Sequence, residues 1–154
     1  MNELFYAPIR KKYYKKKPLI EKGKCVFCKK KPSFKITENE NAILLANEFP
    51  YTDGHLLVVS KKHAHSLTIL NETERNALME MINTACKLLK KALKAQGFNV
   101  GANIGKVAGE SIHHLHFHVI PRFKGDHGFV DEIAKIELVS MTPKETVKLL
   151  KKLV

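Results

Sequence analysis

Three histidines alternate with apolar residues in one short stretch, His114-Leu115-His116-Phe117-His118, which runs on into Val119-Ile120-Pro121-Arg122. Strict alternation ending in a β-branched pair is strand grammar, because successive side chains leave a strand on opposite faces. On that reading His114, His116 and His118 share one face, with about 6.5 to 7 Å between neighbours. Leu115, Phe117 and Val119 share the other. Clustered imidazoles repel one another when charged and are awkward to bury, so packing alone is a poor reason for three of them. A neutral imidazole, with an ordinary pKa of about 6.5, keeps a lone pair that can attack an electrophile or ligate a metal. One ring can do chemistry while its neighbours orient it or touch the same ligand.

A second constellation is Cys25-Val26-Phe27-Cys28. A Cys-x-x-Cys knuckle presents two thiolates to one cation and is a common half of a zinc site. No second such pair exists in the chain, so the remaining ligands must come from elsewhere, and histidines are the available donors. A redox role lacks its usual setting of a strand before the motif and a long helix after it.

The elements that must position these residues are legible in the pattern. Phe34–Thr37 and Ala42–Ala46 read as a hairpin, with Glu38-Asn39-Glu40-Asn41 as its turn. After Asp53-Gly54, a third strand spans His55–Val59. Asn71 with Glu74 three residues on forms a capping box, and apolar residues recur at helical spacing from Leu78 to Leu93, up to a stop at Gly97. Phe98–Ile104 reads as a strand and residues 105–111 as a Gly/Ala loop leading into the histidine strand. Thr142-Pro143-Lys144-Glu145 opens a last helix through Leu150. Adjacent strands without intervening helices imply an antiparallel sheet with helices packed on it, an α+β domain.

With 154 residues, 44% hydrophobic and 27% charged, the chain has the size and composition of one globular domain. Residues 1–24 are basic and aromatic without periodicity and read as an arm, with residues 25–154 as the domain. No apolar run approaches the roughly 20 residues that span a bilayer. The three cysteines do not suggest a disulfide framework, so a cytoplasmic setting is expected. The net charge of +12 favours an anionic partner such as a nucleotide. Much of that charge lies in lysine runs of the kind that coat solvated faces, so direct nucleic-acid binding is not expected as the main role.

His114-Leu115-His116-Phe117-His118-Val119-Ile120 resembles the His-φ-His-φ-His-φ-φ signature of the histidine triad superfamily. Asn47-x-Phe49-Pro50-Tyr51-x-x-Gly54-His55-Leu56-Leu57-Val58, Asn103-x-Gly105-x-x-Ala108-Gly109 and Pro121-Arg122-x-x-Gly125-Asp126 resemble further family segments. Tyr6-Ala7-Pro8-Ile9-Arg10 is similar to the opening of the branch that contains diadenosine-polyphosphate phosphorylases and hydrolases, without its tryptophans.

The resemblance implies a homodimer whose two sheets join, and nucleotidyl transfer or hydrolysis at an α-phosphate through a covalent nucleotidyl-histidine. It makes His116 the nucleophile, His118 a partner of the α-phosphate, His114 an orienting residue and His55 a supporting histidine. Asn47 becomes a ribose contact, Asn103 and Ser111 phosphate contacts, and Gly109 a point of close backbone approach. Glu110 stands where the family usually has Gln, which leaves the leaving group open: a dinucleoside polyphosphate, or an AMP-amine as in the family's phosphoramidases. It also implies a structural zinc on Cys25, Cys28, His63 and His114, with His65 as the alternative to His63. Two other classes remain open: a zinc hydrolase using His114 and His116 as a His-x-His chelate, and a nucleotide or nucleic-acid binding module without catalysis.

Overall fold

The computed structural model describes residues 25–28, 32–124, 126 and 141–154. The arm, residues 1–24, lies outside them. Five strands form one sheet in the order β1-β2-β3-β5-β4, with β1 Lys35–Glu38, β2 Ala42–Ala46, β3 Leu56–Ser60, β4 Gly97–Gly101 and β5 His116–Arg122. Every neighbouring pair is antiparallel. Among the described residues two α-helices, α1 Glu72–Leu93 and α2 Pro143–Leu150, pack against the strands and each other, giving the expected α+β architecture.

Both helices start as their sequences specify. Asn71 and Glu74 exchange the two hydrogen bonds of a capping box, and Thr142 and Glu145 do the same with Pro143 in the first turn. The β1–β2 turn is tied by Asn39, whose Oδ1 accepts from the backbone N–H groups of Asn41 and Ala42 at 3.1 and 2.7 Å.

The two faces of the sheet differ in what covers them. Leu44, Leu56, Val58 and Val119 meet Leu78, Met81, Ala85 and Leu89 of α1 in the main core. Ile43, Leu45, Leu57 and Val59 form a smaller apolar patch, covered by Phe27 of the knuckle. Leu57 pairs with His118 and Val59 with His116. Directly paired residues project to the same side, so the two histidines rise from this second face, away from the helices.

Strands β1 and β3 run one residue later than the sequence pattern places them, and other boundaries differ for reasons the structure shows. Helix α1 ends at Leu93, not at Gly97, because Lys94 itself takes the left-handed conformation (φ 60°) and Gln96 N–H already donates to Arg122 O. Gly97 instead opens β4, which ends at Gly101 rather than at Ile104. His114 lies just before β5, where its N–H donates to Ile112 O at 2.8 Å. It therefore stands outside the strand that carries His116 and His118.

Candidate active site

The site begins with a glycine. Gly54 has a φ of +75°, and a Cβ there would come within 2.5 Å of Leu93 Cδ1 and 3.0 Å of Leu89 Cδ2. Only glycine fits both the turn and the close approach to α1. The turn delivers His55, buried with 1% of its surface exposed, to the mouth of β3. The backbone N–H of Tyr51 donates to His55 Nδ1 at 3.0 Å. That assigns the His55 proton to Nε2, which donates to His118 Nδ1 at 2.9 Å. His118 in turn carries its proton on Nε2. Burial, and then the charge of His116, push its imidazole down to about 4, so it is a neutral donor at ordinary pH.

The opposite assignment holds for His116. Its Nδ1–H donates to the carbonyl oxygen of His114 at 2.7 Å, which leaves the lone pair on Nε2. The two rings meet edge to face, centroids 5.2 Å apart. The site thus pairs an acceptor or nucleophile, Nε2 of His116, with a donor, Nε2–H of His118.

Both rings line a cleft of about 170 Å³. Asn47, Asn103, Gly109 and Ser111, singled out in the sequence, line it too. Gly109 is left-handed (φ +85°), and its carbonyl accepts from Asn103 Nδ2 at 3.4 Å. Asn47 accepts from Phe49 N–H at 3.1 Å and sets its amide 3.3 Å from the His55 ring nitrogens.

Two expected residues lie elsewhere. The carboxylate of Glu110 pairs with His113 Nδ1 at 3.2 Å, its side chain only 5% exposed, and Glu110 is not among the residues lining the cleft. The ring of His114 points away from the cleft, and only its carbonyl reaches His116. Phe49, Tyr51 and Leu57, which the sequence offers only as motif positions, Phe27, which it offers only as part of the knuckle, and Ile112, which it does not single out, also line the cleft. The face-sharing of Leu57 with His118 was the available signal for one of them. Nothing local marks Phe27, whose ring lies 5.3 Å from that of His116.

Beside the cleft, the ligand atoms of Cys25, Cys28, His63 and His114 all lie within 4.8 Å of one another. His114 Nδ1 is 3.2 Å from Cys25 Sγ and 3.6 Å from Cys28 Sγ, and His63 Nδ1 is 3.1 Å from Cys28 Sγ. Metal bonds of about 2.0 to 2.3 Å give tetrahedral edges of roughly 3.3 to 3.8 Å, close to the 3.1 to 3.6 Å of these contacts, so the set could hold one cation. The other nitrogen of His114 donates to Ser60 O at 2.7 Å, the kind of support that metal-ligating histidines have. Burial pushes the His114 imidazole down, keeping it in the neutral, ligating form. Burial, and then the Cys25 thiol, push the Cys28 thiol up; a divalent cation opposes that and takes both sulfurs as thiolates. His65 is not in the set but stacks on His113, ring centroids 4.6 Å apart.

A HIT domain family model matches residues 28–125. An AP-4-A phosphorylase of Mycobacterium tuberculosis is 37% identical over 105 residues, covering 68% of this chain and 54% of that protein. An adenosine 5'-monophosphoramidase of Saccharomyces cerevisiae is 30% identical over 134 residues, covering 84% of this chain and 82% of the relative. Among solved structures, a zinc-bound histidine triad family protein from Mycobacterium smegmatis superposes with a TM-score of 0.69 at 29% identity, covering 83% of this chain and 91% of that one. No helix among the described residues is long and apolar enough to cross a membrane.

Proposed function

The chain belongs to the histidine triad family, which its HIT domain match over residues 28–125 shows, and from that premise we propose that it is a nucleotide hydrolase or nucleotidyl transferase using His116 as nucleophile. The observation that carries the reading is the 2.7 Å bond from His116 Nδ1–H to His114 O. It leaves the lone pair of Nε2 on a ring that lines the cleft.

Nε2 of His116 attacks the α-phosphorus of a nucleotide, forming a phosphorus–nitrogen bond as the bond to the leaving group breaks. The leaving group departs with a proton from solvent or a neighbouring donor. Water or inorganic phosphate then attacks the same phosphorus, releases the nucleotide and returns the ring to its neutral state. The Nε2–H of His118 donates to a phosphoryl oxygen, where charge builds in each transition state. Asn103, Ser111 and the backbone at Gly109 serve the phosphates, and Asn47 serves the ribose. The excess of basic residues steers the anionic substrate inward.

Cys25, Cys28, His63 and His114 would hold a structural zinc, which would supply a cross-link between the knuckle and the residue before β5. The sheet continues through a homodimer, and the medium is cytoplasmic.

The substrate is a dinucleoside polyphosphate such as diadenosine triphosphate or tetraphosphate, consistent with the phosphorylase relative. The second reading, an AMP-amine, draws on the phosphoramidase relative, whose match spans more of both chains. A panel of diadenosine tri- and tetraphosphate, adenosine phosphoramidate and ADP, each with and without phosphate, tests these readings. Turnover of a polyphosphate bears out the first and turnover of the phosphoramidate alone the second. Inertness toward the whole panel contradicts both.

A further inference from the structure

The cysteine–histidine set is joined to the reacting ring by two separate routes. The first runs through one residue. His114 is held at both ring nitrogens, by Ser60 O on one side and by the sulfurs on the other, and its carbonyl accepts the Nδ1–H of His116 at 2.7 Å. Since His114 precedes the β5 ladder, the ring contacts help fix where its carbonyl points. The second route is Phe27, which sits between the two cysteines. Its ring lies 5.6 Å from that of His114 and 5.3 Å from that of His116, and it covers the apolar patch of Ile43, Leu45, Leu57 and Val59. Among the described residues, the knuckle's hydrogen bonds to the rest of the chain are those of its two sulfurs. What holds the sulfurs therefore holds Phe27.

We propose that the Cys25–Cys28–His63–His114 centre is a positioning device for His116: a tetrahedral cation bound there keeps His116 in the Nδ1–H tautomer and Phe27 against its ring, so metal occupancy regulates turnover. The proposal rests on His116 acting as the nucleophile. An unrestrained neutral imidazole shares its proton between both nitrogens, and a ring protonated at Nε2 has no lone pair there to attack with. One net hydrogen bond shifts such a balance about fivefold. Losing the cation therefore lowers kcat by about that factor and disorders the ring's tautomer in the resting protein.

The test uses the full chain labelled with ¹⁵N at histidine, zinc-loaded and then stripped by a chelator, with a circular-dichroism melt on each form. The loaded protein is expected to show a single Nδ1–H tautomer for His116, above the imidazole titration range. The stripped, folded protein is expected to show both tautomers and a kcat reduced about fivefold, with Zn²⁺ alone restoring each. A stripped, folded protein that keeps the single tautomer and its full kcat overturns the proposal. Should stripping unfold the chain, cadmium-loaded protein replaces it. The larger ion is expected to move the His116 ring resonances and change kcat, and unchanged resonances and kcat overturn the proposal equally. The tautomer is read without turnover, so a failure to find a nucleotidyl adduct sinks the catalytic reading and leaves this measurement distinct from it.

Discussion

The Nε2–H of His55 donates to Nδ1 of His118 across 2.9 Å, linking the start of β3 to the middle of β5. Since Tyr51 N–H already occupies Nδ1 of His55, a backbone amide decides on which nitrogen His118 carries its proton. Replacing His55 by Ala removes that control and leaves His118 Nδ1 without its donor. A lost buried hydrogen bond costs about 1 to 3 kcal/mol, so kcat falls roughly 5- to 150-fold. His55→Gln, which can still donate, recovers part of it. Steady-state kinetics of both variants check this, and equal activity in all three proteins contradicts it.

Gly54→Ala strains the turn that carries His55. The added Cβ meets Leu93 and Leu89 at 2.5 and 3.0 Å in a left-handed backbone. We expect a loss of about 1 to 3 kcal/mol in urea unfolding, with lower kcat because His55 moves with the turn. The same change at Gly105, whose Cβ would meet nothing within 4 Å, carries the backbone strain without the clash and should destabilise less. Equal effects at both positions would contradict the packing argument.

His118 gives stability a pH dependence whose sign follows from its depressed pKa. Unfolded, the ring takes a proton near 6.5; folded, burial and then the charge of His116 delay that to about 4. Its contribution is whole above about 6.5 and is lost as pH falls toward about 4. Thermal melts across this window should show the Tm of the wild type falling more steeply than that of His118→Asn. Parallel curves would count against a buried neutral His118.

Much of this arrangement could be read from local pattern. The capping boxes at Asn71 and Thr142, the hairpin and the alternation of His116 and His118 each depend on neighbours a few residues apart, and the α+β sheet followed from the order of those elements. The gathering of Asn47, Asn103, Gly109 and Ser111 around one cleft came from the family resemblance rather than from periodicity. What was illegible depends on distant contacts. Cys25 and His114, 89 positions apart, are joined in the sequence only through that resemblance, and Phe27 meets His116 only because the knuckle folds over the second face of the sheet. Alternation also placed His114 on the strand, whereas the ladder starts at His116 and frees the earlier ring for the sulfurs. The partner of Glu110, an exposed His113, is set by the path of a loop that carries no periodic signal.

Glu110 offers a test of leaving-group preference. Its carboxylate pairs with His113 on the loop that also carries Gly109 and Ser111, both of which line the cleft. Glu110→Gln preserves the shape and removes the charge. We expect the ratio of activity on diadenosine tetraphosphate to that on adenosine phosphoramidate to rise roughly threefold, given a charge interaction of about 0.2 to 1 kcal/mol, with KM for the nucleoside part little changed. An unchanged ratio would show that this carboxylate has no say in the leaving group.

The central claim is a covalent bond between phosphorus and Nε2 of His116. Rapid acid-free quenching during turnover of α-³²P-labelled diadenosine tetraphosphate, followed by peptide mapping, reads it directly. The account predicts an acid-labile nucleotidyl group on the peptide containing His116 and none in His116→Ala, which should also lose turnover. Label that never appears on that peptide, together with an alanine variant that still consumes substrate, would contradict it.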